Sequence, residues 1–231
     1  MQLEKTTKLR ESEAKRRYDD ACGIAHALEL IGERWAPLVL RELMFGPRRF
    51  SDLRSDLPGI SANVLTQRLS ELEEKGLVRR RKLPPPASVQ VYEATEWGLE
   101  AAPVIRALGR WAVRSPRHDP GLFVSAVSVV MSMQTMFDGD RAGDLKARIG
   151  FRFGRDGFVG RIRKGRIRIE RGEPAEADVV FDGTPNQLAG VLYGGEPLES
   201  IGIQGDLALA KRYVTLFPLP PKVEPAPAAS G

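Results

Sequence analysis

The chain has 231 residues, 42% of them hydrophobic, which suits two soluble cores better than one. Its single cysteine excludes an internal disulfide and fits a cytoplasmic location, and no stretch is long and apolar enough to span a membrane. The net charge is +5 and the excess lies forward: residues 1–120 hold 21 Lys and Arg against 17 acids and residues 121–231 hold 14 against 13, so an anionic partner is expected on the front half.

The opening "MQLEKTTKLRESEAKRRYDD" is charged throughout and reads as no secretory signal. Residues 1–18 are expected to be a mobile basic arm, solvated rather than folded. A first domain is expected over 19–113. In it, "RRFSDLRSDLPGIS" places Phe50, Leu53 and Leu57 at i, i+3 and i+7 of a short helix that Pro58 and Gly59 end. Ile60 plugs the turn into the core and Ser61 caps the next helix.

That next helix is expected over 62–75, stopped by Gly76. Leu65, Leu69 and Leu72 form its buried stripe. The opposite face carries Asn63, Thr66, Gln67 and Ser70, none of them charged, while its acids Glu71, Glu73 and Glu74 sit in the second half. Only the first half suits a nucleic-acid groove. There the amide of Asn63 or Gln67 can pair with an adenine edge, and the methyl of Thr66 or Ala62 can meet a thymine methyl. By itself such a face reads more simply as a solvated one. Residues 77–83 and 89–94 read as strands joined by a stiff tip at 84–88, a hairpin with Arg79 and Arg81 on one face and Arg80 and Lys82 on the other. A polar-faced helix joined to a basic hairpin after helix-turn-helix spacing predicts a winged helix-turn-helix.

Thr95 caps a further helix in which Trp97, Ala101, Val104, Leu108 and Trp111 form a wide apolar stripe, with Pro103 expected to kink it. The stripe either closes the domain's own core or makes an interface between copies. "RSPRHDPG" at 114–121 reads as a linker, and 218–231 as a disordered Pro and Ala tail.

Between them, 122–217 is expected to be a smaller domain of sheet plus helices, so the fold class is α+β. Residues 122–137 fit a helix or a strand equally. Residues 151–153, 157–162, 166–170 and 178–181 read as strands, with turns at 155–157 and 164–165, and helices follow over 186–193 and 207–217. "GRIRKGRIRIERG" alternates cation and isoleucine, which gives one apolar and one basic sheet face.

Over "ACGIAHALELIGERWAPLVLRELMFGPRRFSDLRSDLPGISANVLTQRLSELEEKGLVRRRKLPPPASVQVYEATEWG" the chain resembles the HxlR-type winged helix-turn-helix transcriptional regulators. The resemblance rests on "CGIAHALELIGERW", "LRELMFGPRRFSDLR", "GISANVLTQRLSELEEKGLV" and "VYEATEWG" in that order. It implies a dimer on an inverted-repeat operator in double-stranded DNA, with the first helix and the one after the wing building the interface. The candidate DNA-contacting residues are Arg48, Ser61, Ala62, Asn63, Thr66, Gln67, Arg79, Arg81, Lys82 and Ser88. Some such regulators sense electrophiles or oxidants through a cysteine at this place in the motif, which makes Cys22 a candidate redox sensor, although a small packed residue is the plainer reading.

The stretch "GRIRIERGEPAEADVVFDGTPNQLAGVLYGGEPLESIGIQGDLALAKRYVTLF" is similar to sterol carrier protein type two-like domains. This implies an apolar pocket for a lipid-like ligand, with Leu188, Val191, Leu192, Tyr213, Val214 and Phe217 as candidate lining. The same residues could fill a solid core. Only His26 and His118 exist, and no paired carboxylates, metal-spaced cluster, nucleophile elbow or phosphate-cradling loop is present, so neither an enzyme, a metal nor a cofactor is expected. The expected function is a DNA-binding regulator. The competing class is a lipid-sequestering protein with an accessory DNA-binding module.

Overall fold

In the computed structural model residues 18–224 are described; the expected basic arm falls almost wholly outside them. The N-terminal half runs α1 (Gly23–Ile31), α2 (Ala36–Glu42), α3 (Phe50–Asp56), α4 (Ala62–Glu74), β1 (Val78–Lys82), β2 (Gln90–Ala94), α5 (Glu96–Glu100) and α6 (Ala102–Ala112). Ser61 caps α4, its Oγ accepting from the Val64 N–H at 3.2 Å, and Gly76 follows the helix at φ +71°. Leu65, Leu69 and Leu72 are buried against Leu40, Leu43, Leu53 and Leu57. Each such leucine contributes about 2 kcal/mol by leaving water, so the stripe fixes which face of α4 remains outside.

The expected kink after the wing is a break. Thr95 caps α5 through the Gly98 N–H, Ala101 closes it, and Pro103 sits in the first turn of α6, where its missing N–H costs nothing.

The C-terminal half runs α7 (Ala126–Met136), α8 (Gly139–Ala142), β3 (Ala147–Phe153), β4 (Asp156–Arg163), β5 (Arg166–Arg171), β6 (Val179–Asp182), α9 (Pro185–Ala189), β7 (Gly202–Gly205) and α10 (Leu207–Tyr213). The strand order is β5-β4-β3-β6-β7, with β3 and β6 parallel and the other neighbours antiparallel. The ambiguous 122–137 run is helical because Ser125 caps it and both sides are buried, between the sheet and α2. The first strand begins four residues before the expected 151, and β7, with a glycine at each end, was not expected as a strand. The expected helices over 186–193 and 207–217 are present, the first continuing as a π-helical turn over Gly190–Gly194 and the second as a 3-10 turn over Val214–Leu216.

The inner sheet face supplies Ile149, Phe151, Phe158, Ile162, Ile169 and Phe181 to one core with α7, α9 and α10. The beginning of the expected disordered tail is tied down: Val223 N–H donates to Arg114 O at 2.8 Å, and Arg114 Nε donates to Pro221 O at 3.1 Å. Among the described residues no helix is long and apolar enough to cross a membrane.

Candidate nucleic-acid interface

The first two turns of α4 carry the surface that sequence spacing singled out. Asn63, Thr66, Gln67 and Ser70 are exposed, whereas Leu65, Arg68 and Leu69 are buried. Thr66 Oγ1 donates to Ala62 O at 2.9 Å, which leaves its methyl as the group to offer a thymine. Gln67 Nε2 donates to Glu71 Oε1 at 3.0 Å, so the amide is held on the helix surface until a base edge replaces that acceptor. Arg68 is inward, paired with Glu33 and Glu71.

The wing stands beside this helix. In its register Arg79 faces Glu93, and Arg81 is the diagonal neighbour on the same side. Arg79 Nε donates to Glu93 Oε1 at 2.6 Å and Arg81 Nη2 to Glu93 Oε2 at 2.8 Å. The Arg81 hydrogen bond, against the opposing effect of burial and with help from Arg79, holds the Glu93 carboxyl below its usual range. One mostly buried acid thus steadies two guanidinium groups that remain 65% and 44% exposed, available to phosphates. Lys82 and Ser88 are also exposed, at the end of β1 and at the tip. Arg80 lies on the other face, paired with Glu73 at 3.0 Å. Glu93 is the residue that sequence reasoning missed; hairpin register alone would have placed it.

Arg48 requires correction. Its backbone pairs with Tyr92 through two 2.8 Å hydrogen bonds, which adds a rung to the wing, but its side chain is only 6% exposed and turns away from solvent. Arg48 Nη1 donates to Asp156 Oδ1 at 2.7 Å and Nη2 pairs with Asp56. Arg171 also pairs with Asp156, and Arg155 reaches Asp52 at 3.2 Å and Asp56 at 3.0 Å. A guanidinium so enclosed cannot take a DNA phosphate without uncovering two carboxylates. Arg48 instead joins α3 and the wing to the C-terminal sheet.

The same junction buries Glu42 of α2. Its Oε1 accepts from Ser125 Oγ at 2.7 Å and from Arg41 Nη2 at 2.7 Å, while Oε2 has no hydrogen-bond partner among the described residues. Burial pushes its carboxyl above the usual range despite Arg41 and Ser125. Asp156 goes the other way: burial pushes it up, but Arg48 and Arg171 outweigh this and hold it low. Phe45 meets Phe158 edge-on at 5.7 Å beside these charges. The expected linker is therefore not what sets the relation of the two halves.

Three further groups of residues lie away from this surface. Cys22 is exposed at the N-cap of α1. On α1 and α6, Ile24, Leu28, Val104, Leu108 and Trp111 stand in solvent, Ile24 and Trp111 by more than 70%. These apolar side chains are left uncovered in the chain by itself. Leu188, Leu192, Tyr213 and Phe217 are buried in the C-terminal core, with Val191 and Val214 packed against it. Tyr213 lies 4.9 Å from Phe217 and 5.4 Å from Phe181, ring to ring, and its hydroxyl donates to Met133 Sδ at 3.2 Å.

A short helix, a turn, a capped second helix with its polar face outward and a two-stranded wing define the class of winged helix-turn-helix proteins. Residues 30–119 match the family described as HxlR-like helix-turn-helix. The uncharacterized HTH-type transcriptional regulator YvaP of Bacillus subtilis (strain 168) is 35% identical over 86 residues, which are 37% of this chain and 80% of that protein. The HTH-type transcriptional regulator YodB of the same organism is 37% identical over 86 residues, 37% of this chain and 77% of that one. The solved reduced form of YodB covers 43% of this chain at 33% identity, with a TM-score of 0.39. The chain belongs to the HxlR-like helix-turn-helix family. The family match ends at residue 119, so the C-terminal sheet domain stands on its own geometry.

Proposed function

We propose that the chain is a sequence-specific transcriptional regulator that binds an inverted-repeat operator as a dimer. The observation that carries this reading is the uncharged, exposed first half of α4 beside a wing whose Arg79 and Arg81 are held by Glu93 but open to solvent. Helix side chains distinguish bases while the wing holds the backbone. The exposed apolar side chains of α1 and α6 supply the surface on which two copies meet, and the pair would set two α4 helices about 34 to 36 Å apart, one duplex turn.

Selection of duplexes from random sequence by the full chain tests the reading. Two related half-sites about one turn apart are expected, with binding as a dimer in sedimentation. Recovery of no preferred sequence overturns it.

Two attributes belong to the same proposal. Cys22, exposed at the start of an association helix, is a redox sensor whose oxidation lowers operator affinity; an equal response to diamide in wild type and Cys22→Ser removes this. A lipid-like ligand in the C-terminal half enters where Leu188, Leu192, Tyr213 and Phe217 now pack, so it must displace side chains to do so. Lipid recovered from the purified chain by mass spectrometry supports it, and its absence removes it.

A further inference from the structure

The outer face of the C-terminal sheet is divided. One end lies under the 172–178 loop, where Pro174 and Ala177 cover Gly150 and Val180. At the other end the register sets cations side by side across three strands. Arg161 pairs with Arg148 on one side and Arg168 on the other, and Arg163 pairs with Arg166, a row that Lys146 continues just before β3. The intervening residues Ile149, Ile162 and Ile167 point to the inner face, so no apolar side chain separates the cations. Like charges directly opposite on a sheet destabilise it unless a counter-charge is supplied. Within this cluster Glu170 reaches Arg161 at 3.1 Å and Arg168 at 2.8 Å, and Asp178 accepts the backbone N–H of Arg148. Among the described residues no ion pair reaches Arg163, Lys164 or Arg166, and these three line a hollow of about 480 Å3 at the hairpin turn.

We infer that this face is a second polyanion site and that it binds the phosphate backbone of DNA flanking the operator. The inference rests on the reading of α4 and the wing as a DNA-binding surface. Three observations favour nucleic acid over an acidic membrane. The site is cationic without exposed apolar side chains to enter a bilayer, whereas a phosphate backbone requires only cations. The sheet is anchored to the helix-turn-helix by Arg155, which contacts Asp52 and Asp56 of α3. From Arg155 to Arg161 and Arg163 the strand extends roughly 20 to 26 Å, well over half a duplex turn, so the face contacts phosphates that the wing does not reach. The C-terminal domain then lengthens the footprint of the regulator.

The test uses the full chain and a duplex it has selected, in a trimmed form and in a form lengthened by about two helical turns on each side. The variant is Arg163→Gln, Lys164→Asn and Arg166→Gln together; asparagine suits the φ of +52° at position 164, and a thermal melt checks folding. For wild type, the slope of log K against log salt should be steeper on the long duplex than on the trimmed one by about two to three, at about 0.9 per phosphate contact. The variant should lose that difference while keeping its affinity for the trimmed duplex, and a companion carrying Arg163→Lys and Arg166→Lys should retain it. Equal slopes for wild type and variant on the long duplex overturn the inference. So does variant-sensitive binding to phosphatidylserine vesicles with the DNA slopes unchanged, which would assign the face to a membrane. Failure of wild type to select any duplex is a different result and removes the DNA-binding reading itself.

Discussion

The wing and the domain junction use the same chemistry to opposite ends. In the wing, Glu93 accepts from Arg79 and Arg81, and both guanidinium groups stay open to solvent. At the junction Asp156 accepts from Arg48 and Arg171, and Arg48 is closed off. One acid between two arginines is a poised binding surface in the first case and a structural tie in the second. The two acids are similarly covered, so the difference is desolvation of the arginine: an exposed guanidinium contributes at most about 1 kcal/mol and yields easily to a phosphate, whereas a buried one cannot leave without exposing charge to an apolar surrounding.

The largest expected effect follows from this contrast. Arg48→Ala leaves Asp156 to Arg171 and Asp56 to Arg155, both more exposed than Arg48, and should destabilise the chain by up to about 3 kcal/mol in urea unfolding. Arg79→Ala should cost less than about 1 kcal/mol. Similar losses for the two would erase the distinction.

A smaller effect separates the acids at the junction by pH. Burial raises Glu42, so its contribution to stability is complete below the ordinary carboxylate value of 4.5 and is lost as pH rises through its folded value. Asp156 is lowered, so its contribution is present above the ordinary 3.8 and is lost as pH falls through its folded value. Urea titrations over pH should show Glu42→Gln removing the loss on the alkaline side while leaving the acid limb in place. An unchanged alkaline limb in Glu42→Gln would show that the carboxyl is not the group responsible.

The smallest effect concerns the wing. Arg79→Ala and Arg81→Ala should each flatten the salt dependence of binding by about 0.9 on selected and random duplexes alike. A loss confined to the selected duplex would make the wing a reader of bases.

Much of the interface was legible because α4 obeys one period and one pair of caps. Leu65, Leu69 and Leu72 fix the buried side, and everything opposite follows by counting. The hairpin was equally legible, since its register needs only the turn. Arg48 was not. An arginine just before a helix resembles a phosphate contact locally, and the carboxylate that claims it, Asp156, lies 108 residues away in another domain. The long apolar run at 122–137 was ambiguous for a related reason: α7 is covered on both sides, by the sheet and by α2, so it lacks the polar face that reveals a helical period. In the basic hairpin, "GRIRKGRIRIERG" announced a cationic face, but only the pairing with β3 reveals Arg148 beside Arg161 and completes the row.

The claim that the first half of α4 reads bases is tested most directly by Gln67→Ala on a selected and a random duplex at one salt concentration. Gln67 is exposed on the uncharged face and, among the described residues, its amide is held by Glu71 alone, so its removal leaves the fold intact. A loss of about 1 to 3 kcal/mol on the selected duplex with little change on the random one is predicted. Equal weakening on both would contradict the account, because Gln67 would then be holding the backbone rather than reading the sequence.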